Sequence, residues 1–254
     1  MNFAPPITRR NHGRGHSYRD ANGLKVPGVT TIINKGVPKQ LTNWAAETVA
    51  AHAIDHWDEL TDLPISARFK RLKGAHNAER DAAAVRGTKV HALAVRLEAG
   101  ETVSVPEELE GHVASYVDFL DDWNPTSIVT ETPVISYKHG YAGTLDLIAD
   151  VPGIGRMLLD IKTSRSGVYG ETALQLAAYR YADIYLDGDG KEIDLPPVTE
   201  TAVVWVRADG YDLVPVEAGP DQFRTFLYAA QIAAFCEGAR DLIGEPLTIP
   251  AVAA

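Results

Sequence analysis

The sequence predicts a mixed α/β fold, a central mixed β-sheet flanked by helices and preceded by a largely helical section. Three observations predict it. Helical texture dominates residues 44–123, three apolar and β-branched runs separated by turn residues follow from residue 128, and the remainder reads helix, two strands, helix. Of 254 residues, 45% are hydrophobic and 23% charged, which is apolar material enough for a real core. The chain is read as one domain over 1–254, with a basic arm and helical section over 1–125 and an α/β core over 126–254.

In order, residues 1–23 are polar and basic, an arm or loop whose order the sequence leaves open. Residues 25–33, Lys-Val-Pro-Gly-Val-Thr-Thr-Ile-Ile, are rich in β-branched side chains and predict an extended segment. Thr42 or Asn43 is placed to cap a helix over 44–57, and Leu63-Pro64 breaks the chain after it. The composition of 77–97 predicts a long helix, with Gly87 as a point of interruption and Gly100 as its stop. After Val105-Pro106 another helix runs to Trp123, with Leu109, Val113, Tyr116, Val117 and Leu120 on one face, and Asn124-Pro125 ends it. The runs 128–136, 141–150 and 156–163 predict a three-strand meander. A helix over 171–186 follows, then strands over 200–207 and 211–217 joined at Asp209-Gly210, a pair that favours a tight hairpin. Pro220 and Asp221 open a last helix that runs to Glu237.

The formal net charge of −10 weighs against a nucleic-acid partner, because phosphate contacts rest on Lys and Arg. The average conceals a split. Residues 1–100 hold 15 Lys and Arg against 9 Asp and Glu, a net of +6, while residues 101–254 hold 9 against 25, a net of −16. Such asymmetry marks a charged partner. The run Arg68-Phe69-Lys70-Arg71-Leu72-Lys73 puts four positive charges into six residues; it is a candidate for a nucleic-acid backbone, and a solvated helix face has the same composition. Trp44, Trp57, Trp123 and Trp205 either stack on unpaired bases or, the more ordinary reading, fill the core.

No run of about 18 uncharged apolar residues exists and no apolar segment follows the N-terminal arginines, so neither a membrane span nor a secretory leader is expected, and the expected location is cytoplasmic. The single cysteine, Cys236, excludes an intramolecular disulfide and a four-cysteine zinc or iron–sulfur centre. Any metal must rest on oxygen or imidazole.

The residues that carry chemistry follow one another along the middle of the chain. Asp146 sits in an apolar run after Gly143-Thr144-Leu145, and Asp160 sits between Leu159 and Ile161 on the next run, followed by Lys162 and Thr163. A charged group inside an apolar strand is costly unless compensated, and a divalent cation compensates two acids on neighbouring strands. Strand alternation puts Asp160 and Lys162 on one face, with Ile161 turned to the core. There the ammonium can orient or help deprotonate an attacking water, or stabilise charge growing on a phosphoryl group. Gln175 and Tyr179 are four apart on the following helix and share a face.

Taken singly these signals are weak, since an isolated D-x-K triplet is usually a surface ion pair. Their order resembles the PD-(D/E)-x-K nuclease superfamily, and within it the RecB-like exonuclease branch in its cluster-free, phage-type form. The resemblance covers residues 130–185 strongly and the helix around His91 less so. It implies a restriction-endonuclease-like core in which Asp146 is the strand acid, Asp160 and Lys162 are the D/E-x-K pair, and Gln175 and Tyr179 are the helix motif. It also implies a metal-binding histidine on an upstream helix, and Arg86-Gly87-Thr88-Lys89-Val90-His91 has the form of that position. His52, His56, His76 and His112 lie on predicted helices without the Gly-Thr lead-in, and His139 lies in a turn.

By the same resemblance, His91, Asp146, Asp160 and the main-chain carbonyl of Ile161 would hold one or two Mg²⁺ or Mn²⁺ ions, with no iron–sulfur cluster. Glu131 matches an acid often seen at this point; a contact to a second metal or to a metal ligand, and a plain exposed strand residue, are its two readings. Gln175 and Tyr179 either contact a phosphate, hold the lysine and the scissile strand, or pack the helix on the sheet. Thr163, Ser164 and Arg165, like Arg68, Lys70, Arg71 and Lys73, are candidates for binding a DNA backbone, although a hydroxyl-rich loop is usually a turn.

The function implied is a metal-dependent DNA nuclease hydrolysing phosphodiester bonds, an exonuclease of recombination or repair. Its substrate would be DNA that is single-stranded or has free ends, and its partner a recombination or single-strand-binding protein, with no membrane involved. A structure-specific or nicking endonuclease is the alternative within the fold, and a non-catalytic DNA-binding subunit the alternative outside catalysis. A hydrolase of small phosphorylated substrates is weaker, because no phosphate-cradling glycine loop is present.

Overall fold

The computed structural model describes residues 3–12, 15–37, 41–164 and 167–247. In chain order its elements are β1 (Thr8–His12), β2 (Gly15–Arg19), β3 (Lys25–Val26), α1 (Val29–Gly36), α2 (Leu41–Asp55), α3 (Trp57–Thr61), α4 (Ile65–Glu98), α5 (Glu110–Trp123), β4 (Thr126–Ser136), β5 (Tyr141–Val151), β6 (Gly155–Lys162), α6 (Glu171–Arg180), β7 (Ile184–Leu186), β8 (Glu192–Asp194), β9 (Glu200–Arg207), β10 (Gly210–Pro215) and α7 (Pro220–Gly238). The main sheet has seven strands in the order β10-β9-β6-β5-β4-β7-β8, antiparallel throughout except between β6 and β9. The fold is therefore mixed α/β, a mixed sheet flanked by helices. Among the described residues no helix is long and apolar enough to cross a membrane.

Helices cover both faces of the sheet, so its inner strands are apolar on both sides. On one face α1, α6 and α7 bring Ile32, Leu176 and Phe226 against Leu145, Ile148, Leu158 and Val203. On the other, the end of α4 and α5 bring Ala94, Tyr116 and Phe119 against Leu147, Leu159, Ile161 and Val204. Burying each such large apolar side chain contributes roughly 2–3 kcal/mol.

The three-strand meander, the helix before it, the hairpin β9–β10 and the last helix stand where their periodicity places them. Five expectations are corrected. The helix expected over 44–57 begins at Leu41, so Thr42 and Asn43 lie inside α2 rather than capping it, and it ends at Asp55 with α3 following separately. Residues 29–36 form a helix rather than an extended segment, because Val29, Ile32, Ile33 and Gly36 share one buried face at helical spacing and that burial outweighs β-branched propensity. Gly36 lets α1 cross α7 closely, since a Cβ there would meet the Ala229 carbonyl oxygen at 2.2 Å.

The polar N-terminal stretch carries a small antiparallel sheet, β1-β2-β3, whose Ile7, Tyr18 and Val26 pack on Ile135, Ala142 and Leu186. The long helix α4 starts at Ile65 and runs unbroken through Gly87. Finally, α6 ends at Arg180 because Asp183 ties the chain to β4: its amide donates to the Ile135 carbonyl (2.9 Å) and its carboxylate accepts the Lys138 amide (3.0 Å), which turns residues 184–186 into strand β7.

Candidate metal and catalytic site

Three acids stand in one row across β4, β5 and β6. Thr130 pairs with Leu147 and Thr132 with Leu145, which sets Glu131 opposite Asp146; Leu147 pairs with Leu159, so the next step along that ladder sets Asp146 opposite Asp160. The sheet is irregular along this row. Glu131 has φ 44°, a left-handed conformation that costs a non-glycine residue of order 1–3 kcal/mol. The Thr132 hydroxyl donates across it to the Thr130 carbonyl at 2.7 Å.

Both strands change face here. Val129 and Val134 pack in the same layer although strict alternation would oppose them, while Leu145 and Leu147 pack in opposite layers although alternation would unite them. Beyond the Leu147–Leu159 pair, the Ile161 amide donates to Asp146 Oδ2 at 2.7 Å, so a carboxylate stands where a main-chain carbonyl would continue the ladder.

The helix α4 supplies the imidazole. Gly87 and His91 are one turn apart on one face, and that face runs along the end of β6: a Cβ at Gly87 would lie 3.4 Å from the Thr163 hydroxyl, and His91 Nε2 donates to the Ile161 carbonyl at 2.9 Å. His91 Nδ1 lies 2.9 Å from Glu131 Oε1 and 3.5 Å from Asp146 Oδ1. Both ring nitrogens thus face acceptors, an arrangement that favours an imidazolium. Burial works against that charge, but Asp146, Glu131 and Asp160 outweigh it and hold His91 up at about 9. Burial likewise lifts the Asp146 carboxyl well above the usual carboxylate range; His91 and Lys162 oppose the lift, and Asp160 and Glu131 add to it. One ligand atom from each of His91, Glu131 and Asp146 falls within a 4.8 Å group that could hold a metal ion.

On the other side of the row, Asp160 is buried. Its Oδ1 accepts a hydrogen bond from Gln175 Nε2 at 2.8 Å; its Oδ2 is 2.8 Å from Lys162 Nζ, a charge contact without hydrogen-bond geometry. Lys162 donates in turn to Gln175 Oε1 at 3.3 Å. Burial acts to lower the Lys162 ammonium, yet Asp160 and Asp146 hold it above its ordinary value. The buried Tyr179 ring lies on Gly143, where a Cβ would meet it at 2.4 Å, and its hydroxyl is 3.4 Å from Gln175 Nε2. Beside Lys162 and Gln175 opens a cavity of about 220 Å³, also lined by Thr30, Asn34 and Tyr169.

Of the other candidate residues, Thr163 and Ser164 adjoin this centre, Ser164 lining the same cavity as Lys162 and Gln175, whereas the Arg68–Lys73 cluster lies apart from it. Thr163 is buried against Gly87, the Ser164 carbonyl accepts the Trp205 indole N–H at 2.7 Å, and Arg165 lies outside the described residues. Arg68 donates to the Leu60 and Thr61 carbonyls at 2.8 and 2.9 Å, closing the end of α3, and Arg71 pairs with Glu59 at 2.6 Å. Lys70 and Lys73 are exposed, about 30 Å along α4 from His91 at helical rise.

Among the rival histidines, His56 pairs with Glu59 and His139 packs edge-on to Phe223. Trp57 is exposed, Trp123 packs on the α5 layer, and the Trp44 side chain lies outside the described residues. Sequence reasoning missed Tyr18, whose hydroxyl lies 2.7 Å from Thr144 Oγ1, because no motif marks it and its partner is 126 residues away. Neither a protein-family model nor a curated protein matches this chain.

Proposed function

We propose that the chain is a metal-dependent DNA nuclease of the PD-(D/E)-x-K type, an exonuclease of recombination or repair that hydrolyses phosphodiester bonds. The observation that carries this reading is the row Glu131, Asp146 and Asp160, faced by the His91 imidazole on one side and the Lys162 ammonium on the other. The donor set suits a hard divalent ion: carboxylate oxygens, one imidazole and the Ile161 carbonyl, with Asp160 Oδ2 buried and without a hydrogen bond. His91, Glu131, Asp146, Asp160 and the Ile161 carbonyl would hold Mg²⁺ or Mn²⁺, the imidazole favouring Mn²⁺ somewhat. Such an ion, when bound, supplies Lewis-acid polarisation of the phosphodiester and a water acidic enough to attack near neutral pH.

The chain's own residues prepare the rest. His91 must release a proton to become a ligand. Lys162, held protonated by its two aspartates, is unsuited to take a proton from water and serves as a fixed donor towards charge growing on the phosphoryl oxygens. Gln175 bridges Asp160 and Lys162 and keeps both in place. Tyr179 and Gly143 close the floor beneath them. In the reaction, a water oxygen bonds to phosphorus, the ester P–O bond breaks, and the departing oxygen leaves with a proton. A binding subunit has no need of acids that repel phosphate, which disfavours the non-catalytic alternative.

The test is end-labelled linear and circular single-stranded DNA incubated with Mg²⁺ or Mn²⁺. Linear DNA should be degraded by the wild type and left whole by Asp160→Asn and Lys162→Ala, both with native melting curves. Cutting of the circle moves the reading to an endonuclease, and absence of metal-dependent cleavage on any DNA overturns it.

A further inference from the structure

We propose that the β1–β2 hairpin forms the wall of the site that grips a nucleic-acid phosphate beside the scissile one, with Arg9 as its ligand and His16 next to it. The inference rests on the nuclease reading of the site. It starts from strand register: Arg9 pairs with Tyr18, and His16 lies two residues from Tyr18, so all three side chains share one face of the hairpin. The hydrogen bond between Tyr18 and Thr144, 2.7 Å long and two residues from Asp146, fastens that face to the acid row. The His16 ring packs edge-on to Tyr18 at 5.2 Å, and both side chains lie in the electrostatic field of Glu131 and of Arg9. On that same face Ile7, Tyr18 and Val26 anchor the hairpin on Ile135, Ala142 and Leu186, so Arg9 and His16 stand beside a packed base.

Arg9 itself is half-buried, and its Nε is buried without a hydrogen-bond partner. A guanidinium presents a planar fork of donors that matches a phosphate, and leaving such an N–H unpaired away from water is costly. Three acids nearby repel a polyanion, and a cation on the adjacent wall offsets that repulsion where the strand must enter. The basic cluster Arg68–Lys73 cannot do this, because Arg68 and Arg71 are engaged elsewhere and the cluster lies far along α4.

The phosphate is either an internal phosphodiester or a strand terminus, and the experiment separates them. The full-length Asp160→Asn protein, which should hold DNA without cutting it, is titrated with fluorescent single-stranded oligonucleotides bearing a 5′-phosphate or a 5′-hydroxyl, over about 50 to about 200 mM KCl. Adding Arg9→Gln should weaken binding about tenfold and reduce the slope of log K on log salt by about 0.7. Arg9→Lys, which keeps the charge, should restore the slope, and matching melting temperatures show that the fold is kept. A loss confined to the 5′-phosphorylated strand assigns Arg9 to the terminus, and an equal loss assigns it to an internal phosphodiester. Unchanged affinity and slope in Arg9→Gln, beside an Asp160→Asn that no longer cleaves, overturns the hairpin proposal alone. Absence of metal-dependent cleavage by the wild type overturns the nuclease reading and leaves the hairpin result standing.

Discussion

Asp146 accepts the Ile161 amide at 2.7 Å at the point where β5 and β6 part, so a single carboxylate both completes the backbone hydrogen bonding and faces His91. The two duties separate on substitution. Asp146→Ala leaves the buried Ile161 N–H without an acceptor and should cost about 1–3 kcal/mol of stability in chemical denaturation. Asp146→Asn keeps an acceptor oxygen and sheds a charge that burial disfavours; it should melt at or above the wild type without metal, and lose the rise that Mn²⁺ gives the wild type. Equal destabilisation by the two variants would refute this division of roles.

The His91 imidazolium makes the metal-free protein sensitive to alkali. Its folded value of about 9 lies above the ordinary 6.5, so its contribution is fully present below pH 6.5 and is lost as pH rises through about 9. The ceiling is about 3 kcal/mol. Asp146, also raised, acts with the same sign from lower pH, and because the two share one cluster their effects do not add. Chelator-treated protein should therefore lose melting temperature between pH 6.5 and 9, and the stabilisation by Mg²⁺ should grow over the same range as a proton ceases to compete with the ion. His91→Gln should flatten both trends; a flat wild-type profile counts against the imidazolium.

How much of this was legible in the sequence depends on the range of the interaction. Asp146 and Asp160 stand out because each interrupts an apolar strand, and the register that unites them follows from a short meander. Glu131 could not be resolved, because what aims it is a backbone angle, φ 44°, and not a residue type. The hairpin β1–β2 was unreadable for another reason: Arg, Asn, His and Ser alternate there with little apolar signal, and the Tyr18–Thr144 bond that fixes it spans the domain. In α1 the β-branched composition pointed the wrong way, and only burial against α6 and α7 decides for the helix.

Gly143 and Tyr179, 36 positions apart in sequence, occupy one volume. A methyl at Gly143 would sit 2.4 Å from the Tyr179 ring, so Gly143→Ala must displace the ring and should destabilise by about 1–3 kcal/mol. In a Tyr179→Ala background the same change meets open space and should cost much less. A double-mutant cycle by denaturant titration measures the coupling, and additivity within about 0.3 kcal/mol would show that the ring does not rest on the glycine.

Gln175 discriminates between holding the machinery and touching the substrate. Its amide donates to Asp160 Oδ1 at 2.8 Å and accepts from Lys162 at 3.3 Å, so both its polar atoms are engaged within the protein. Gln175→Leu removes both bonds, leaves Asp160 Oδ1 buried without a donor, and lets the Asp160–Lys162 contact drift. A displacement of about 1 Å in positioned groups can cost about a hundredfold in rate, so kcat should fall between tenfold and about a hundredfold. Because no phosphate contact is lost, KM for DNA and the salt dependence of binding should stay within about twofold. A residue that gripped a phosphate would behave in the opposite way, raising KM and flattening the salt slope while kcat changed little. Steady-state kinetics on linear DNA at two salt concentrations separates the two outcomes, and the hydrogen bonds on both ends of this amide argue for the first.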